Sequence, residues 1–195
     1  YVFANILWCG TTAPEENVEA TGARGICMDL TATTVAERVR AYPGVQPLST
    51  VEEEHVEILP DMFERGEYGW RDPEWVVQWY GRRFLGAMPN AERRDLEDAY
   101  DENDYEDVHD AISAAVDAED AAAMLSSLTD LAGVGVEVGS AFCQFIDPER
   151  YVVVDERQWS TLRNLGEFDG FDDLDVPYPD PPSVSEYERY LERYR

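Results

Sequence analysis

Apolar residues recur at a helical spacing along most of this chain, and strand-like alternation is almost absent. Thr34 to Tyr42 reads as a short helix stopped by Pro43-Gly44. Thr50-Val51-Glu52-Glu53 has the form of a capping box, opening a helix toward Leu59 that Pro60 kinks or restarts before Gly66. Asp72-Pro73 places a cap before a proline at the first helical position, with Trp75, Val76, Trp79 and Phe84 on one face of a helix reaching Gly86. Helices follow over 91–100, 105–116 and 120–131. After a glycine-containing turn another begins near Val136, and one more opens at Asp155. Tyr151 to Val154 is a short extended run, and a last helix from about Ser183 carries Tyr187, Tyr190, Leu191 and Tyr194 as a docking stripe. The pattern predicts an all-α domain of about eight helices.

Composition narrows the setting. The 195 residues contain 42 acidic and 15 basic side chains for a formal net charge of −27, and every basic residue is Arg. The acidity spreads over all the expected helices instead of forming a tail, which suits molar salt, where the Debye length falls to about 3 Å and carboxylate repulsion is screened. A salt-adapted cytoplasm is the expected location. An apolar content of 44% with abundant aromatics argues for a folded chain. Cys9, Cys27 and Cys143 are odd in number and far apart, against a disulfide framework and against an all-cysteine iron–sulfur cluster. His55 and His109 are isolated, so no metal site is expected. The apolar run at 1–8 lacks a basic leader and is a poor signal peptide, and no stretch has the length of a membrane span.

The chemistry concentrates in residues 128–166. A helix ends at Leu131, Gly133-Val134-Gly135 turns the chain, and a second helix follows. Glycines suit a turn whose backbone amides approach a phosphate at a helix start. An ordinary helix–helix connection would use them too, as cap and starter. Asp155-Glu156-Arg157-Gln158 also reads as a plain capping sequence for the helix carrying Trp159, Leu162 and Leu165.

Taken together, the Gly-Val-Gly turn, Val154-Asp155 and Leu165-Gly166 resemble the helix-hairpin-helix DNA glycosylase superfamily of endonuclease III-like enzymes, over roughly a fifth of the chain. The resemblance implies two helical lobes with a cleft between them, all within a single domain over 1–195. One lobe would span about 50–117, the hairpin and aspartate region about 120–166, and an acidic Pro-rich linker with the C-terminal helix about 167–195. It implies hydrolysis of an N-glycosidic bond in damaged or mismatched double-stranded DNA, with the base flipped out of the duplex and Asp155 in the catalytic role. It assigns DNA contact to Gly133, Val134, Gly135 and Glu137, with Arg150 and Arg157 in reach of phosphates. Trp75, Trp79 and Tyr80 are the candidate base pocket, although an ordinary core helix accounts for them as well. No cofactor is implied.

Departures from the family pattern matter. Glu137 stands where lyase-competent relatives carry a lysine, and with no Lys in the sequence a Schiff-base step has no nucleophile. Ala132 replaces the usual Pro, and Val138-Gly139 replaces Thr-Ala. A non-catalytic relative that binds DNA or a protein partner is the alternative expectation, supported by the overall charge and by Glu137 beside a phosphate site.

Overall fold

The computed structural model describes residues 32–164 and 177–194, all helix and connecting segments, with nine α-helices and no strand among the described residues. The helices are α1 (Ala32–Val45), α2 (Ser49–Arg65), α3 (Arg71–Arg82), α4 (Asn90–Tyr100), α5 (Tyr105–Val116), α6 (Ala121–Leu128), α7 (Val136–Ile146), α8 (Glu156–Asn164) and α9 (Val184–Tyr194). Leu165-Gly166, Cys9, Cys27 and the apolar run at 1–8 lie outside the described residues. None of these helices is long and apolar enough to cross a membrane.

α7 is the central element and packs against α2, α3, α6 and α9. Its run Val138–Phe145 is buried on every side, which the sequence allows because its two polar members, Ser140 and Gln144, find partners. Gly139 lets α6 come close: a Cβ there would stand 2.7 Å from Leu125 Cδ2. Trp79, Trp159, Tyr100, Tyr151, Tyr187 and Tyr190 supply the largest buried rings, so aromatic packing carries much of the core.

Several boundaries differ from the sequence expectation. α1 runs through Pro43 to Val45, and α2 runs through Pro60 to Arg65, where Gly66 closes it at φ 64°. A proline removes one backbone bond. Burial of Glu52, Leu59 and Phe63 on one stripe of α2 nonetheless keeps the helix in register past it. Thr50 does not cap α2, and Glu52 turns inward, accepting from the Tyr42 hydroxyl and from Trp79 Nε1 at 2.7 Å. Asp72 likewise lies inside α3, where its carboxylate accepts from Gly69 N at 2.8 Å. α6 stops at Leu128, short of Leu131, and α3 stops at Arg82, before a turn in which Leu85 and Gly86 both have positive φ.

The extended segment 151–154 is not part of any sheet. Its backbone is satisfied by side chains from the helices around it: Gln144 Oε1 accepts from Val153 N (3.0 Å) and Ser140 Oγ from Val154 N (3.0 Å). The hydroxyls of Tyr187 and Tyr190 donate to the carbonyls of Val152 and Val153 (2.9 and 3.2 Å). A buried backbone must pair its polar groups, and here α7 and α9 replace a neighbouring strand. That fixes the residue that follows, Asp155.

Candidate functional site

Two features fix the hairpin. Gly133 adopts φ +74°, and a Cβ there would lie 2.9 Å from Tyr100 N and 3.0 Å from Leu96 O. The turn is therefore pressed against the end of α4, and glycine is needed for that contact as well as for the turn. Asn103 clamps the same loop, accepting from Ala132 N at 2.9 Å and donating to Ala132 O at 3.0 Å. Val134 points into the core, whereas Gly135 is exposed, with open space where a Cβ would be. Gly135 precedes the first turn of α7, so the positive end of that helix faces outward beside it.

Asp155 is the N-cap of α8. One carboxylate oxygen accepts from Gln158 N at 2.8 Å, and the other is ion-paired with the Arg83 guanidinium. Both residues are nine-tenths or more buried. Arg83 comes from the end of α3, flanked by the rings of Trp79, Tyr80 and Phe84, and its carbonyl accepts from Gln46 Nε2. Burial pulls the Arg83 guanidinium below its usual range. The aspartate thus caps a helix and sits at a charged junction between α3 and α8. Beside the pair is a cavity of about 20 Å³ bordered by Tyr42, Gln46, Phe84 and Gln158. That is room for one water molecule among several polar partners.

An open cleft of about 460 Å³ brings the hairpin and the aspartate onto one wall system, lined by Tyr80, Gly133, Gly135, Glu137, Asp155 and Tyr178 among others. Glu137 reaches into it from the first turn of α7. The Tyr178 hydroxyl donates to Glu137 Oε1, and Tyr80 lines the same cleft. Burial pushes the Glu137 carboxyl upward, with Asp180 adding to the rise; Tyr178, Tyr80 and Arg83 oppose it. Burial and the Glu137 carboxylate together push the Tyr80 and Tyr178 hydroxyls well above the usual phenol range.

The remaining candidates divide between cleft and core. Arg157 lies on the cleft wall with its guanidinium 4.9 Å from the Phe84 ring centroid. Arg150 sits elsewhere, donating to Glu119 O, pairing with Asp147 and lying over the Tyr151 ring. Of the three aromatic residues on α3, only Tyr80 lines the cleft. Trp79 is buried with its indole N–H on Glu52, and Trp75 stacks on His55 at 3.6 Å and meets Phe145 edge-on. The cleft's other aromatic walls are Phe84 and Tyr178. Tyr178 escaped sequence reasoning because it sits in a Pro-rich acidic stretch without periodicity. Sequence places Arg82 and Arg83 just behind the candidate pocket rings, but nothing local pairs Arg83 with a residue as far along the chain as Asp155. No His/Cys/Asp/Glu cluster able to hold a metal occurs among the described residues. Neither a protein-family model, nor a curated protein, nor a solved structure matches this chain.

Proposed function

We propose that this protein is a helix-hairpin-helix, glycosylase-like protein that hydrolyses the N-glycosidic bond of a damaged or mismatched base turned out of duplex DNA. One observation carries the reading: Gly133, Gly135 and Asp155 border the same cleft, whose volume of about 460 Å³ holds a nucleobase. In this reading the exposed backbone at Gly135 grips a phosphate, which needs no lysine and survives high salt better than counterion release does. The base enters among Tyr80, Phe84 and Tyr178. Asp155 stabilises positive charge at the sugar as the bond to the base breaks, and a water completes the hydrolysis at the anomeric carbon. Arg83 must yield its hold on Asp155, at least in part, when the sugar arrives.

The test is base release from a panel of lesion-bearing duplexes at about 2 M KCl, where carboxylate repulsion is screened. Wild type is expected to release base, and Asp155→Asn, verified as folded, to lose release almost completely. Equal release by both proteins removes Asp155 from the chemistry.

The Arg83–Asp155 pair favours a second reading, a non-catalytic protein that keeps this fold and binds DNA or a protein partner. A carboxylate that caps a helix and balances a buried guanidinium is already fully employed. Wild type that retains duplex without releasing base, with retention lost in Gly135→Glu, supports this second reading. Open space at Gly135 admits that side chain without disturbing the fold.

A further inference from the structure

The geometry points to Glu137 as the specificity-determining residue of the cleft, selecting a flat ring that presents two adjacent N–H donors, an amidine-type edge, over a ring that presents a carbonyl there. The inference rests on the reading that the cleft receives a planar ring, and it adds the chemistry of that ring's edge.

The carboxylate is anchored from a segment distant in sequence: Tyr178, ahead of α9, donates to Oε1. Tyr80 lines the same cleft from α3. The Tyr178 contact restricts a side chain that otherwise rotates freely. An ionised carboxylate has about four acceptor sites and no donor. With one tyrosine donor in place, acceptor capacity remains on a side chain that lines the cleft and is only half-buried.

A pair of N–H groups meets such a carboxylate through two parallel bonds, the geometry that makes bidentate pairing strong and selective. A ligand carbonyl in the same place would face lone pairs. Tyr178 could not rescue it, because its hydroxyl proton is already donated to Glu137. The surroundings act in the same sense. Glu92, Glu156 and Asp180 also border the cleft, against Arg157 lying over Phe84, so an electron-poor or cationic edge is favoured over an anionic one. Tyr80, Phe84 and Tyr178 put aromatic side chains on the wall, which distinguishes this cleft from a merely acidic surface.

The test uses two near-isosteric probes, benzamidine and benzamide, titrated into the whole chain at the lowest KCl that keeps it folded, with amide shifts of residues 133–138 as the readout. Wild type is expected to prefer benzamidine by about tenfold or more. Glu137→Gln should bring that preference below about threefold, because an amide presents a donor where the carboxylate presents none. Tyr178→Phe, which keeps the charge but frees the carboxylate, should give an intermediate value. Equal affinity for the two probes, no benzamidine binding at residues 133–138, or an unchanged preference in Glu137→Gln each overturns the inference. Benzamidine selectivity without base release from any duplex leaves Glu137's role standing and removes the glycosylase reading. Base release with equal probe affinities does the reverse.

Discussion

Gly133 and Gly135 stand two positions apart in one turn, yet their neighbours give them different jobs. Gly133 combines a left-handed backbone with an approach to Tyr100 N that leaves no space for a Cβ. Gly135 has φ −83°, an ordinary value for any residue, and empty space around it. Gly133→Ala is therefore expected to cost about 1–3 kcal/mol in denaturant unfolding, while Gly135→Ala stays within about 0.5 kcal/mol. Equal costs would mean that the hairpin is not pressed against α4 as described. Asp155 shows the same layering of roles, since helix capping, a buried ion pair and a place on the cleft wall all fall on one residue.

At the scale of elements, the segment 151–154 decides where that carboxylate stands. It has no strand partner, and its amides and carbonyls depend on Ser140, Gln144, Tyr187 and Tyr190. Ser140→Ala strands the Val154 amide in the core and is expected to cost about 1–3 kcal/mol. Hydrogen exchange at Val153 and Val154 checks the cause: both amides should be strongly protected in wild type, with the Val154 amide losing protection most. α9 is drawn into the same arrangement. Ser183 and Glu186 cap it reciprocally, Ser183 N donating to Glu186 Oε2 at 2.7 Å and Glu186 N to Ser183 Oγ at 3.3 Å. Its tyrosine stripe then docks as its spacing predicts, with Tyr187 and Tyr190 fully buried.

For the molecule as a whole, charge sets the working conditions. Burial raises the carboxyls of both Glu52 and Glu137 above their ordinary value of 4.5. Below that value both folded and unfolded chains carry the proton, and the stability these groups contribute is fully present. As pH rises, the unfolded chain gives up its protons first, so that contribution is lost through the folded-state values. Glu186, lowered by its bonds to Ser183, acts oppositely but only below 4.5. A net charge of −27 also gives the folded chain a self-repulsion that salt screens. At the lowest salt that supports folding, Tm is expected to rise as pH falls from about 8 to about 5.5, with a flatter slope in Glu52→Gln. The pH slope should also shrink at about 2 M KCl, which screens exposed charge more than the buried Glu52. A slope untouched by either change would assign the effect to groups other than these.

Helix positions, the all-α class and the docking face of α9 were legible from spacing alone, because burial of one stripe imposes a period that any helix must carry in its own residues. The hairpin glycines and the cap at Asp155 were legible for the same local reason. Which of the rings on α3 faces the cleft was not, since Trp75, Trp79 and Tyr80 differ only in what other helices place against them. Nor were the bond between Arg83 and Asp155 and the tyrosine holding Glu137, whose partners lie many tens of residues away in the chain. Such pairings are chosen by how α3, α7, α8 and the segment before α9 pack. Packing depends on shape across the whole core, which no local window of residues contains.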